Sequence, residues 1–162
     1  MAPRTPSLAT ARPRRPGVLI ARHALVACGP FGATAATKVA AALARGMLAA
    51  GAPEPDVVEL PADGAAPAAL AALLAEVDFD ARMRAARALV VASARLDEAT
   101  LAPSPAFEVA TRARQSGVPA YAVTASDGLD SFDARILDLQ MVIEADGALA
   151  LAAAGRRLAA LV

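Results

Sequence analysis

The chain has 162 residues, and its sixteen basic and sixteen acidic side chains cancel to a formal net charge of +0. No overall field draws it to nucleic acid, and with 3% aromatic residues it has little to stack on bases. Hydrophobic residues make up 57%, yet no apolar run is long enough to span a bilayer, so neither nucleic acid nor membrane is expected as a partner. The length suits one domain that buries roughly two thirds of the surface its unfolded form exposes. The single cysteine, Cys28, excludes an internal disulfide and has no second thiol or imidazole beside it for a zinc site, which fits a cytoplasmic protein with no metal centre.

Residues 1–16, MAPRTPSLATARPRRP, contain four arginines, four prolines and no acid, and read as a disordered basic leader ahead of a domain over residues 17–162. Val18 to Ala27 is an apolar run of strand length, stopped by the turn Gly29-Pro30-Phe31-Gly32. Leu25-Val26-Ala27-Cys28 also resembles a lipoprotein cleavage site, but Arg22 and His23 interrupt the apolar segment that export requires. Thr34 is placed to cap a helix in which Val39, Leu43, Met47 and Leu48 recur at helical spacing up to Gly51. Pro53 and Pro55 return the chain to a short strand over Asp56 to Leu60. The alanine- and leucine-rich stretch from Ala65 to Leu74 predicts a helix. Phe79 to Ala86 predicts a shorter helical piece, with Arg82, Arg84 and Arg87 as a solvated face.

Ala88-Leu89-Val90-Val91-Ala92 is a continuous apolar run of the kind buried inside a parallel sheet. Ser104-Pro105 opens the next helix with a cap and a first-turn proline, and Gly117 closes it. Ala120 to Thr124 and Gln140 to Glu144 are the last strands, followed by a terminal helix from Gly147 to Val162. Strands and helices alternate throughout, which predicts an α/β fold with a mostly parallel sheet covered by helices on both faces.

In such sheets ligands sit at the carboxyl ends of the strands. The first loop there carries Gly29 and Gly32 but lacks the lysine and hydroxyl of a P-loop and the third glycine of a dinucleotide fingerprint. The helix it feeds could still hold a small anion on its free N–H groups. The second loop carries Asp63 and Gly64, most simply a turn. The third runs from Ser93 to Glu98, and the fourth, Ala125 to Gly128, reads as a tight turn. Asp97 is a candidate metal ligand or base, though an aspartate after a strand more often caps the next turn. Arg95 is a candidate grip for a carboxylate or phosphate, or else a solvated loop charge. Cys28 reads as a small buried hydrophobe and His23 as a packed side chain.

The stretch from Leu89 to Leu101, LVVASARLDEATL, resembles the segment LVITGEGRLDEQTL of the bacterial glycerate kinases. Val109-Ala110, Arg112-Ala113, Gly117 and Pro119 continue the likeness without a gap. Val39-Ala40 and Ala44-Arg45-Gly46-Met47 resemble the family's first helix, Leu60-Pro61-Ala62-Asp63-Gly64 its LPVADGGEGT loop, and Phe79-Asp80-Ala81-Arg82 its GFDERL. The resemblance implies a single Rossmann-like domain. It assigns Asp97 and Arg95 to the catalytic site and Asp63, Gly64, Gly29 and Gly32 to the nucleotide side, with ATP and magnesium as cofactors if the protein is active.

The chain departs from that family in two respects. The kinases insert a second domain after the ADGGEGT loop, whereas here one short helix leads from Gly64 to Phe79. The family's glutamates, a glutamine, the GKAP lysine and several glycines are replaced by Ala66, Ala65, Pro67, Ala92, Ser93, Ala94, Ala99 and Ser104, and neither Cys28 to Ala33 nor Arg22 to Ala27 contains the aspartate and lysine of its first loop. Phosphoryl transfer depends on carboxylate-held magnesium, cations on the migrating charge and glycines beside the phosphates. The expectation is therefore a kinase-like domain that is catalytically degenerate and binds a small ligand or a protein. The alternatives are an active kinase for D-glycerate or a related hydroxy acid, completed by a partner subunit, and a homo-oligomeric assembly module.

Overall fold

Strict alternation of side chains along buried strands decides the layer structure of this protein, a computed structural model of which describes residues 22–100, 102 and 104–162. The expected leader and the first part of the expected first strand lie outside the described residues. Strand β1, Leu25–Cys28, is buried at every position. It sends Leu25 and Ala27 to one face and Val26 and Cys28 to the other. Helix α1 follows at Ala36–Ala49, then β2 at Asp56–Glu59, α2 at Pro67–Glu76, α3 at Phe79–Ala85 and β3 at Leu89–Asp97. Next come a short 3-10 turn at Glu98–Thr100, α4 at Pro105–Ser116, β4 at Ala120–Gly128, α5 at Ser131–Ile136, β5 at Leu139–Glu144 and α6 at Gly147–Ala159.

The five strands form one parallel sheet in the order β2-β1-β3-β4-β5. This confirms the α/β class and fixes its kind as a doubly wound, Rossmann-like sheet. Leu89, Val91, Ala120 and Ala122 face a core built with Leu70 and Leu74 of α2, Phe79 and Met83 of α3, and Val109 and Ala113 of α4. Val90, Ala92, Val123 and Ile143 face the opposite core, built with Val39, Leu43 and Met47 of α1 and Leu151, Ala154 and Leu158 of α6.

The second core depends on an unusually close helix crossing. A Cβ on Gly46 of α1 would lie 2.0 Å from the carbonyl oxygen of Ala152, and one on Gly155 of α6 would lie 2.2 Å from that of Leu43. The two helices therefore touch backbone to backbone.

Several boundaries differ from the sequence reading. Ser104 does cap α4, its Oγ accepting from the Phe107 N–H at 3.1 Å, and Gly117 closes that helix at φ 68°. Thr34 caps nothing. Its N–H and carbonyl pair with Phe31 in a tight turn at 2.8 and 2.9 Å, and Ala35 holds the cap position without a side-chain bond. Strands β3 and β4 run to Asp97 and Gly128, well past the expected ends at Ala92 and Thr124. Helix α5, capped by the Asp130 carboxylate, is not among the elements expected from the sequence; it spans six residues and carries none that is buried.

Arg82 is also placed differently from the solvated face expected for it. Its guanidinium donates to the Asp56 carboxylate at 2.8 and 2.5 Å and to the Val57 carbonyl at 2.9 Å, clamping α3 to the outer edge of β2. The hydrogen bond from Arg82 holds the Asp56 carboxyl below its ordinary value. A depressed carboxyl adds stability that is present above its ordinary pKa and lost as pH falls through the lowered one. Arg82→Gln is thus expected to cost about 1 kcal/mol at pH 7, with the difference from wild type closing below about pH 4, as read from urea unfolding at a series of pH values.

Adding a methyl at the helix crossing gives a second expectation. Gly46→Ala should lower the unfolding free energy by about 2 kcal/mol through overpacking, although alanine is the better helix former by about 1 kcal/mol. The double variant with Gly155→Ala should cost less than the sum, because both methyls part the same pair of helices. Urea midpoints of the three variants test this.

Candidate functional site

The strand order changes direction between β1 and β3, so the carboxyl ends of these two strands flank the switch point at which doubly wound sheets bind ligands. A crevice of about 10 Å³ lies there, room for a single water. It is lined by Gly29 and Pro30 after β1, Leu60 to Asp63 after β2, Ala92 and Ser93 of β3, and Pro105 and Ala106 of α4. Three of the four loops singled out from the sequence therefore meet.

Three N–H groups of the first loop are already engaged within the protein. The Gly29 N–H donates to the Ala92 carbonyl at 2.9 Å, the Phe31 and Thr34 N–H groups are used within their own turn, and Pro30 has none. Gly32 has φ +55° and is the glycine this turn requires. A Cβ on Gly29 would meet only ordinary contacts, at 3.6 Å from the Pro61 oxygen and 3.8 Å from that of Ala92. Gly64, at φ +88°, likewise serves the turn after Asp63.

Beyond the crevice, β3 and β4 continue as a two-stranded ribbon. The β1 ladder ends with Cys28 opposite Ala92 and the β5 ladder with Glu144 opposite Thr124, whereas β3 and β4 stay paired to Asp97 opposite Gly128. At the base of the ribbon the pairing steps from Ser93–Thr124 to Arg95–Ser126. Both hydroxyls are buried there: Ser93 Oγ donates to the Arg95 carbonyl at 3.0 Å and Thr124 Oγ1 to the Ser126 carbonyl at 3.0 Å. Each satisfies its own strand where the ladder is interrupted. The sequence did carry this signal, a hydroxyl residue ending each apolar run and followed by alanine, but it read more simply as the start of a loop.

The ribbon brings three of the expected site residues together. Arg95 donates to Asp97 at 2.5 Å across an ion pair in which the arginine side chain is 66% exposed. Asp63 senses both. Partial desolvation and the Asp97 carboxylate raise its pKa, and Arg95 opposes them. Gly128 lets the strands approach, since a Cβ there would sit 3.1 Å from that of Asp97. Among the described residues no group of three or more His, Cys, Asp or Glu side chains is placed to hold a metal ion.

Cys28 lies below this site at 0% exposure. Its thiol donates to the Ala36 carbonyl at 3.3 Å, and burial, with help from the Glu59 charge, pushes its pKa up to about 12. It is a packed side chain, neither a nucleophile nor a modification site in the folded protein. A larger groove of about 290 Å³ lies between α2 and α4, lined by Pro67, Leu70, Ala71, Ser104, Phe107 and Glu108. Its polar groups are already engaged, Ser104 in the helix cap and Glu108 with Arg112 at 2.8 Å.

No helix among the described residues is long and apolar enough to cross a membrane. The sequence matches no protein-family model and no curated protein in the comparisons made.

The raised Asp63 carboxyl has a measurable consequence. A carboxyl whose folded pKa exceeds its unfolded one binds its proton more readily when folded, so stability falls as pH rises through the window just above the ordinary value. Asp63→Asn is expected to be more stable than wild type at pH 7, with the gap closing below about pH 4. Urea midpoints between these two conditions read the effect.

Proposed function

We propose that this chain is a glycerate-kinase-like domain without phosphotransferase activity, a cytoplasmic module that binds a small anionic ligand or a protein partner at the carboxyl edge of its sheet. The likeness of Leu89 to Leu101 and of the flanking segments to that family supports the ancestry. The observation that carries the loss of activity is the switch-point crevice, where about 10 Å³ is free and the N–H groups of Gly29, Phe31 and Thr34 are already bonded within the protein. A nucleotide triphosphate needs a far larger volume, and a migrating phosphoryl group needs cations and N–H donors that are not otherwise engaged. Arg95 is tied to Asp97.

One observation favours the second reading, an active kinase completed by a partner subunit. Asp63, Arg95 and Asp97 share one corner of the molecule, and these are charged positions at which the chain retains the family's residues. In that reading Asp97 and Asp63 would hold magnesium, which would neutralise charge on the phosphates, and Arg95 would add a cation beside them.

A coupled assay with ATP, magnesium and D-glycerate separates the two. The expected result is phosphate transfer no faster than in the protein-free control, with glycerate at about 100 times its dissociation constant stabilising the fold by about 2.7 kcal/mol in a thermal-shift measurement and ADP giving no shift. Turnover above the control that disappears in Asp97→Ala would establish the kinase reading instead.

A further inference from the structure

The sheet has two edges, and the protein treats them differently. The backbone of β2 points alternately inward and outward. Asp56 and Leu60 donate to β1, so Val57 and Glu59 face out. That edge is guarded: Arg82 covers the Val57 carbonyl at 2.9 Å, and Pro53 and Pro55 precede the strand. Proline, charge and covering side chains are the usual means of blunting an edge.

Strand β5 has no proline and no side chain over its outward groups among the described residues, and its one charge is Glu144. The Ala145 N–H donates to the Thr124 carbonyl at 2.8 Å, and with Thr124 opposite Glu144 and Ala122 opposite Val142 the inward groups belong to Met141, Ile143 and Ala145. The N–H and carbonyl groups of Val142 and Glu144 therefore face outward, and among the described residues no hydrogen bond reaches them. A bulge at Gln140 confines the regular open edge to Met141–Glu144. The Glu144 carboxylate accepts from the Asp127 N–H at 3.0 Å, so it does not cover the strand's own outward N–H and carbonyl groups. Leu139, Met141 and Val142 are only half-buried, and α5, which leads into the strand, leaves Phe132 69% and Ile136 38% exposed.

We infer that the open edge of β5 pairs antiparallel with β5 of a second copy of this chain about a two-fold axis through Ile143, joining two five-stranded sheets into one. The register follows from which groups are open. Two outward residues separated by one inward residue satisfy one another when Val142 lies opposite the partner's Glu144 and Glu144 opposite the partner's Val142. Each pair exchanges two N–H···O=C bonds, with Ile143 facing the partner's Ile143 between them. All the outward groups of the regular segment are then used and the bulged residue is not required. The same register sets a valine, not a second carboxylate, against each Glu144, so like charges never stand directly opposite. This inference is independent of any kinase ancestry.

Light scattering with size exclusion at about 100 µM, where a dimer of micromolar dissociation constant is fully formed, is expected to give twice the chain mass. Val142→Pro removes an outward N–H and should give a monomer with an unchanged circular dichroism spectrum. The register is tested by two charges at the same position. Val142→Glu sets like charges opposite each other in both pairs and should weaken the dimer about tenfold, whereas Val142→Lys sets the introduced lysine against the partner's Glu144 and should leave it within about twofold of wild type. A monomeric wild type at this concentration, a dimer unaffected by Val142→Pro, or equal weakening by the two charge substitutions would each overturn the proposal. If Val142→Pro fails to fold, the contrast between glutamate and lysine decides it.

Discussion

Contact between the backbones of α1 and α6 at Gly46 and Gly155 sets the geometry of half the molecule. One face of a five-stranded sheet must be covered by these two helices, while the other face has α2, α3 and α4. The crossing draws the two helices together over the centre, where Val26, Val90, Ala92 and Val123 lie at or below 1% exposure. The margins are covered less completely: Val57 on one edge strand and Met141 on the other are only partly buried against the same core. Tight closure over the middle and thin cover at the rims are two results of one steric fact, since a helix pair with any larger residue at the crossing would sit farther apart.

That central closure also determines what the carboxyl edge can be. With β1 wholly buried and its following loop folded into a hydrogen-bonded turn, the switch point is filled by backbone and prolines. The polarity of the region moves outward, onto the ribbon of β3 and β4. There the charged groups answer one another, Arg95 to Asp97 and both to Asp63, and the hydroxyls of Ser93 and Thr124 complete their own strands. Groups that already have partners offer less to a ligand than free ones, because each bond to a ligand must first replace an existing one.

The fold class was legible because burial on both faces writes itself as continuous apolar runs, and Leu89 to Ala92 with Ala120 to Val123 are such runs. The Ser104 cap and the Gly117 stop were legible for a local reason, being set within a few residues by backbone stereochemistry. The strand ends were not. Apart from Leu96, Ser93 to Asp97 and Ala125 to Gly128 are polar or small, so neither segment shows the apolar run that marks a strand, and each is extended where the other lies beside it. Arg82 misled for the same reason: its partner Asp56 is 26 residues away, a separation at which helical periodicity says nothing. The grouping of Asp63 with Arg95 and Asp97 could be anticipated only from the rule that loops at strand carboxyl ends converge.

The burial of Cys28 has a use beyond packing. With its thiol at 0% exposure, donating to Ala36 and ionising only near pH 12, it is shielded from alkylating reagents while β1 and α1 remain closed over it. Labelling then requires the heart of the sheet to open. As the single sulfhydryl of the chain, it makes the rate of covalent capture a native clock of how often that innermost strand is laid bare.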